Sequence, residues 1–326
     1  MMKTKILALL LITSSAWAQV ASTDIEITFP HGGCEFKGSL SLPSGEGPFP
    51  TILIIPGSGQ NNRDGMIPFV GANAECMTPN LVGDTAYTYR DLAYNLTKKG
   101  FAVFRYDELM ISCPTFTGPF TYQTLWLPAQ SALNEIKLHP KVDAEKLILL
   151  GHSEGASIIN YIASKRSDIK ALISLAGART PMDSILLRQL AEIGQRCSPQ
   201  DSMKTKFGIF QIESYFKMIR SKSYTEQTPP FGGASAEVWA QYLAVGDSVS
   251  AYYHKLEMPC LFIGLEKDFN VPPSELARFK ADLSSQDNIK FISIEGLTHY
   301  LCTEDSAKQS PLVANNISLW LKAQKL

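Results

Sequence analysis

The chain has 326 residues, 45% of them hydrophobic, so it can bury a substantial core as one large α/β domain or two smaller ones. Its 30 lysines and arginines nearly balance 31 aspartates and glutamates, which gives a formal net charge of -1. No basic block stands out, and this argues against a nucleic-acid partner, because phosphate binding needs a concentrated positive surface.

The first eighteen residues have the pattern of a secretory signal peptide. Lys3 and Lys5 precede a short apolar core over residues 6–12, and Ala16-Trp17-Ala18 fits a small-residue cleavage site. A membrane anchor is the alternative, but the apolar run is too short to span a bilayer comfortably. The sequence therefore predicts cleavage near Ala18. The mature protein, residues 19–326, is expected to be secreted or periplasmic, without stable membrane insertion.

Apolar segments of strand length alternate with amphipathic helical patterns along the mature chain. Two alternating strands are predicted first, at 25–29 and 35–42. Continuous apolar strands follow at 51–55, 101–104, 147–150, 171–176, 260–264 and 291–294, and helices are predicted at 85–99, 122–138, 273–283 and 313–322. Continuously apolar strands are typical of a sheet buried on both faces. The predicted fold class is therefore α/β, with a mostly parallel central sheet and helices on both faces.

The alternation breaks over residues 179–256, where no buried strand is predicted. Helix-like stretches such as 182–193 and 235–243 occur there instead. An excursion of this length from a regular sheet usually covers an active site. We therefore predict a helical cap insertion, with a separate small domain as the alternative.

Six cysteines permit up to three disulfides in an exported protein. They lack the paired spacing of zinc ligands, so no metal site is predicted. Cys76 and Cys113 both lie in loop-like inserts, 57–83 and 108–121, and are the favoured pair. Cys260 lies inside an apolar strand pattern and fits a plain buried thiol.

The most informative motif is Gly151-His152-Ser153-Glu154-Gly155, which stands between a predicted strand and a helical pattern. A sharp strand-to-helix turn holds its central residue in a strained conformation, and flanking glycines let strand and helix approach closely. Such a turn exposes a serine hydroxyl and directs a helix N-terminus at the same spot. Ser153 is therefore the predicted nucleophile, and the alternative is an ordinary serine in a glycine-rich turn.

A serine nucleophile needs a base, and the base needs an orienting group. His299 follows the strand at 291–294, where ligands gather in open α/β sheets, and is the predicted base. Asp268 follows the preceding strand and is the predicted orienting carboxylate, with Glu266 as the alternative. His152 is expected to be a packing residue, because its side chain should point away from Ser153.

Acyl transfer also needs hydrogen-bond donors for the developing oxyanion. The backbone N–H of Glu154 follows the serine and opens the helix. A second donor is expected from the loop Pro56-Gly57-Ser58-Gly59, and the N–H of Ser58 is the predicted one. The alternative is that these glycines form only a tight turn.

With these residues in place, the chain resembles the α/β-hydrolase superfamily. Within it, the chain is similar to small serine esterases with a Pro-Gly-Ser-Gly stretch, here residues 56–59, and Gly-His-Ser-Glu-Gly at the nucleophile. The order Ser153, Asp268, His299 matches the chain order of that superfamily. The chain departs from these relatives at Glu108–Cys113, where they commonly have a basic, glycine-rich turn.

The resemblance implies carboxylesterase activity on small-molecule esters, without a cofactor. The fold does not fix the leaving group, so a peptidase or thioesterase with the same triad is the alternative enzyme. A non-catalytic binding protein is a third reading, although no triad member is missing.

Overall fold

A computed structural model describes residues 23–116 and 120–326; the predicted signal peptide, residues 1–18, lies outside the described residues. Twelve strands occur in this part of the chain: β1 Thr23–His31, β2 Cys34–Leu42, β3 Phe49–Ile55, β4 Met66–Pro68, β5 Thr85–Tyr87, β6 Ala102–Tyr106, β7 Val142–His152, β8 Ile169–Leu175, β9 Cys260–Leu265, β10 Ile289–Ile294, β11 Cys302–Thr303 and β12 Ser306–Gln309. The α-helices there are α1 Gly71–Met77, α2 Thr88–Thr97, α3 Leu109–Ser112, α4 Tyr122–Ile136, α5 Glu154–Ala163, α6 Met182–Cys197, α7 Ser202–Arg220, α8 Ala236–Asp247, α9 Val249–Tyr253, α10 Pro273–Leu283 and α11 Leu312–Ala323.

Eight strands form the central sheet, in the order β1-β2-β6-β3-β7-β8-β9-β10. β1 and β2 pair antiparallel, as do β2 and β6, and the six strands from β6 to β10 run parallel. The carboxyl ends of these six strands therefore meet at one edge of the sheet, which is where ligands bind in open α/β sheets. The predicted mostly parallel sheet is confirmed.

The two faces of the sheet carry separate apolar cores. Along β3, Leu53 and Ile55 face a core shared with α4, α5 and α10, whereas Ile52 and Ile54 face a core shared with α2 and α11. Successive side chains of a strand point to opposite faces, so a strand buried on both faces must be apolar throughout. Helices thus cover both faces, as predicted.

The segment predicted as a helical cap, residues 179–256, contains α6, α7, α8 and α9, and we call it the cap segment. Its helices bury a small core of their own that includes Phe216, Ile219 and Leu243. The sequence pattern identified α6 and α8 but not the long helix α7. Phe207 and Phe210 on α7 are exposed, so its apolar residues do not mark a single buried face.

One predicted helix begins later than expected. The pattern suggested a helix over 85–99, but residues 85–87 form β5, which pairs antiparallel with β4. The helix α2 begins at Thr88 and ends at Thr97. Pairing with a distant segment outweighs the local helical pattern here, which is the usual way tertiary context overrides propensity.

The predicted bridge between Cys76 and Cys113 is wrong. Cys113 pairs with Cys34 at the start of β2, because α3 packs against that strand. Cys76, in α1, pairs with Cys197 at the end of α6, so a disulfide joins an insert of the core to the cap segment. Cys260 is a buried free thiol, as expected.

Within residues 23–116 and 120–326, no helix combines the length and apolar character that a membrane crossing requires.

Candidate active site

Ser153, the predicted nucleophile, occupies a strained turn between β7 and α5, which we call the nucleophile turn. Its backbone angles are φ 54° and ψ -118°, a conformation that non-glycine residues rarely adopt. A Cβ atom on Gly151 would lie 2.3 Å from the carbonyl oxygen of Gly155, and one on Gly155 would lie 2.3 Å from that of Ile55. Both glycines are therefore needed for the close approach of strands and helix around the serine.

His299 and Asp268 form a buried pair in the loops that follow β10 and β9. The Nδ1 atom of His299 lies 2.7 Å from Oδ2 of Asp268. The other carboxylate oxygen of Asp268 accepts a hydrogen bond of 2.7 Å from the backbone N–H of Val271. Glu266, the alternative carboxylate, is half exposed and accepts instead from the N–H of Gly296. Asp268 is therefore the acid that contacts the histidine.

A chain of hydrogen bonds through His152, in the nucleophile turn, links the His299 loop to the loop that carries Ser58. The N–H of Gly57 donates to the hydroxyl of Tyr89 at 2.8 Å, and that hydroxyl lies 3.1 Å from Nδ1 of His152. The Nε2 atom of His152 lies 3.0 Å from the carbonyl oxygen of His299. Since a carbonyl can only accept, His152 carries its proton on Nε2 and accepts from Tyr89 at Nδ1.

Both ring nitrogens of His152 are thus engaged, and burial, followed by the neighbouring His299, holds its pKa well below the ordinary value. The rings of His152 and His299 lie 4.6 Å apart between centroids, so the His299 imidazole lies beside the residue that precedes Ser153. His152 packs between the loops and fixes their spacing. The described hydrogen bonds include none between Ser153 Oγ and His299, and catalytic contacts often tighten only when substrate binds.

Ser58 and Glu154, the predicted oxyanion donors, line the same cleft as Ser153. Glu154 is the first residue of α5, and the N–H groups of a first helical turn have no partner within the helix. The loop that carries Ser58 lies against Ser153, since a Cβ atom on Gly57 would be 3.0 Å from Ser153 Cβ. The side-chain amide of Asn61 donates to the carbonyl of Gly57 at 2.9 Å and holds this loop.

The cleft has an empty volume of about 690 Å³, open solvent included, and lies between the sheet edge and the cap segment. Its lining comes from the loops that follow β3, β8 and β9, from the nucleophile turn and α5, from the first residue of α4, and from α6, α8 and α9: Ser58, Tyr122, Ser153, Glu154, Ser157, Ala178, Thr180, Pro181, Met182, Ile185, Leu186, Gln189, Tyr242, Val245, Gly246, Val249 and Val271. Glu154 is the one carboxylic acid among these described lining residues. Burial raises its pKa, an effect that a hydrogen bond from Tyr242 partly opposes.

Glu108 is a functional candidate that sequence reasoning missed. Its carboxylate accepts hydrogen bonds from Asn61, at 2.7 Å from the backbone N–H and 3.0 Å from the side chain. Burial raises the pKa of Glu108 to about 8, although the bonds from Asn61 act in the opposite direction. The departure of residues 108–113 from the pattern of related esterases was the available signal. It did not reveal that the carboxyl supports the Ser58 loop.

We expect Glu108→Gln to make the folded protein less sensitive to alkaline pH. The folded pKa of Glu108 lies above its ordinary value of 4.5, so protonation of this carboxyl stabilises the folded state relative to the unfolded state. That contribution is full below about pH 4.5 and is lost as the pH rises through about 8. This shift corresponds to an upper bound of about 5 kcal/mol. The amide can still accept from Asn61. In thermal unfolding, the melting temperature of the variant relative to that of the wild type should be higher at pH 9 than at pH 5. Glu266→Gln, at a half-exposed site, is the control, and an equal difference at both pH values would contradict the prediction.

Comparisons with known proteins agree with this architecture. Residues 122–306, more than half of the chain, match the family described as Hydrolase_4, serine aminopeptidase, S33. Esterase EstD from Thermotoga maritima is 25% identical over 285 residues, which cover 84% of this chain and 60% of that protein. The chain therefore spans about three fifths of the length of this curated relative.

Solved structures show the same fold at lower identity. Est1E from Butyrivibrio proteoclasticus aligns with a TM-score of 0.54 at 17% identity, covering 92% of this chain and 98% of that one. The acylaminoacyl peptidase from Pyrococcus horikoshii aligns with a TM-score of 0.58 at 12% identity, covering 94% of this chain and 42% of that one. The nucleophile turn, the parallel sheet and the family match together place this chain among the α/β-hydrolases, in the serine aminopeptidase S33 family.

Proposed function

We propose that the protein is an exported serine hydrolase that cleaves carboxylic esters through an acyl-enzyme intermediate. The observation that carries the proposal is the buried contact between His299 and Asp268, beside His152, the residue that precedes a serine at positive φ. The similarity to Esterase EstD and the fold shared with Est1E support an ester as substrate.

In the proposed reaction, Ser153 Oγ attacks the carbonyl carbon of the ester, and His299 takes the hydroxyl proton. Asp268 accepts a hydrogen bond from Nδ1 of His299 and stabilises the imidazolium that forms. The tetrahedral intermediate collapses, and the alcohol leaves with the proton from His299. A water molecule then attacks the acyl-enzyme by the same route, and the carboxylic acid is released.

The N–H groups of Ser58 and Glu154 are the proposed donors to the oxyanion. The α5 N-terminus adds its positive dipole end at the same position. Burial raises the pKa of the Glu154 side chain, which disfavours a negative charge beside the developing oxyanion. Asn61 and Glu108 support the Ser58 loop, so this loop is held before substrate arrives.

A fluorophosphonate probe tests the proposal directly, because it reacts only with an activated serine. We expect one equivalent of probe on the peptide that contains Ser153, together with rapid hydrolysis of short p-nitrophenyl esters. Failure of the wild type to react with either reagent would contradict the proposal and favour a non-catalytic binding protein.

Peptide or thioester cleavage is the second candidate, favoured by the family description and by the fold shared with an acylaminoacyl peptidase. A panel of aminoacyl p-nitroanilides, acyl thioesters and matched esters distinguishes the candidates by kcat/KM. A strong preference for anilides or thioesters over esters with the same acyl group would replace the esterase assignment.

Export is the remaining part of the proposal. The two disulfides support it, since such bonds persist mainly in oxidising compartments. Mass spectrometry of the mature protein from its native source should find an N-terminus at Gln19. Recovery of the protein with residues 1–18 attached would contradict export by signal cleavage.

A further inference from the structure

Two side chains of the cap helix α6 bind the loop that follows Asp268. The Nη2 atom of Arg188 donates to the carbonyl oxygens of Phe269 and Asn270, each at 2.7 Å. The side-chain amide of Gln189 donates to the same carbonyl of Asn270 at 2.9 Å. These contacts join residues about eighty positions apart and connect the cap segment to the sheet edge.

The carbonyls held by α6 belong to the turn that orients Asp268. This turn is closed by the N–H of Val271, which donates to Oδ1 of Asp268 at 2.7 Å. The remaining oxygen, Oδ2, lies 2.7 Å from Nδ1 of His299. A rotation of the turn would therefore move the carboxylate away from the imidazole.

Arg188 is itself held in place by two neighbours. Its Nη1 atom lies 2.9 Å from a carboxylate oxygen of Glu192, and its guanidinium lies 5.5 Å from the centroid of the Phe269 ring. Its side chain is 30% exposed, so its hydrogen bonds to the two carbonyls are partly shielded from water. Hydrogen bonds from a charged donor are stronger than those between neutral groups.

We propose that Arg188, assisted by Gln189, is a positioning residue for Asp268 and, through it, for the imidazole of His299. This inference rests on the proposed function, because it assigns a catalytic consequence to the orientation of that pair. α6 also lines the cleft, through residues that include Ile185 and Gln189. A substrate that fills the cleft therefore contacts the same helix that holds the acid in place.

Arg188→Ala tests the role of the guanidinium, and Arg196→Ala is the matched control. Arg196 pairs with the same Glu192 and lies 5.7 Å from the same Phe269 ring, but its described hydrogen bonds include none to the loop carbonyls. We expect Arg188→Ala to lower kcat for a p-nitrophenyl ester by about tenfold to a hundredfold, with KM changed less than about threefold. Arg196→Ala should stay within about twofold of the wild type.

Rescue by a conservative variant separates positioning from a general loss of stability. The Arg188 guanidinium acts through its hydrogen bonds to the carbonyls of Phe269 and Asn270, so a shorter cation should restore them in part. Arg188→Lys, which keeps the charge and can reach one carbonyl, should recover part of kcat.

Histidine NMR gives a readout that does not require turnover. The Nδ1 proton of His299, assigned by its loss in His299→Gln, is hydrogen-bonded to Asp268 and should resonate at lower field than an unbonded imidazole proton. In Arg188→Ala this signal should move upfield, whereas in Arg196→Ala it should match the wild type. An unchanged signal in all three proteins would overturn the inference even if esters are hydrolysed. A wild type without activity would refute the proposed function, while this signal still decides whether Arg188 positions the pair. If Arg188→Ala does not fold, Arg188→Lys carries the same comparison, with a smaller shift expected in the same direction.

Discussion

Replacing Ser153 by alanine is expected to lower kcat for p-nitrophenyl esters by about 10⁶-fold, because the proposed acyl-enzyme cannot form. The residual rate should reflect only the oxyanion donors and substrate binding. The exponential burst of p-nitrophenol in pre-steady-state kinetics should also disappear. Stability should change little, since alanine keeps the Cβ atom and the same backbone conformation at φ 54°.

Ser164→Ala is the matched control for this experiment. Ser164 lies at the opposite end of α5 and is exposed, with its hydroxyl bonded to the carbonyl of Tyr161. It should keep the wild-type rate and the wild-type burst. A Ser153→Ala variant that retained more than a small fraction of the wild-type kcat would refute the proposed nucleophile. Labelling of another serine by the fluorophosphonate would then identify the residue that acts as the nucleophile.

The largest expected effect on folding comes from Gly155→Ala. The added methyl group would lie 2.3 Å from the carbonyl oxygen of Ile55 and 2.5 Å from that of Pro56. These are backbone atoms of β3 and the Ser58 loop, so the steric clash can be relieved only if α5 or the sheet edge shifts. We expect a loss of about 3 kcal/mol or more in the free energy of unfolding, at the upper end for overpacking, and a loss of activity because the nucleophile turn moves with it. Urea unfolding monitored by fluorescence measures the change.

Gly208→Ala controls for the ordinary effect of alanine in a helix. Gly208 lies within α7, and a Cβ atom there would meet no heavy atom within 4 Å. Alanine should raise stability by about 0.5–1 kcal/mol, because it loses less backbone entropy than glycine. If Gly155→Ala behaved like Gly208→Ala, the close approach of α5 to β3 would not be the reason for glycine at position 155.

The parallel sheet could be predicted from the sequence because burial on both faces leaves a local signal. Ile52–Ile55 of β3 and Leu147–Leu150 of β7 are each a continuous apolar run. The nucleophile turn was equally local, since its glycines, its serine and the helical pattern lie within about fifteen residues. By contrast, the choice between Asp268 and Glu266 depends on how the loop after β9 turns. Both acids follow the same strand, and only the structure shows which one contacts His299.

Features that depend on distant contacts were missed or predicted wrongly. The partner of Cys113 is Cys34, 79 residues away, and loop character alone cannot select it. The support that Glu108 gives to Asn61 joins two inserts, and no local pattern indicates it. The same is true of Arg188, whose partners Phe269 and Asn270 lie on the far side of the cap segment in sequence. Periodicity thus identified the buried strands, while the polar contacts between loops required coordinates.

The disulfide between Cys76 and Cys197 covalently anchors one end of α6, the helix that also holds the loop after Asp268 through Arg188. A thiol reductant would cleave this disulfide while leaving the noncovalent contacts of α6 in place. Recombinant material from a reducing cytoplasm would therefore differ from oxidatively folded material in the anchoring of that helix. Assays on the two preparations are comparable only after the oxidation state of this cysteine pair has been verified.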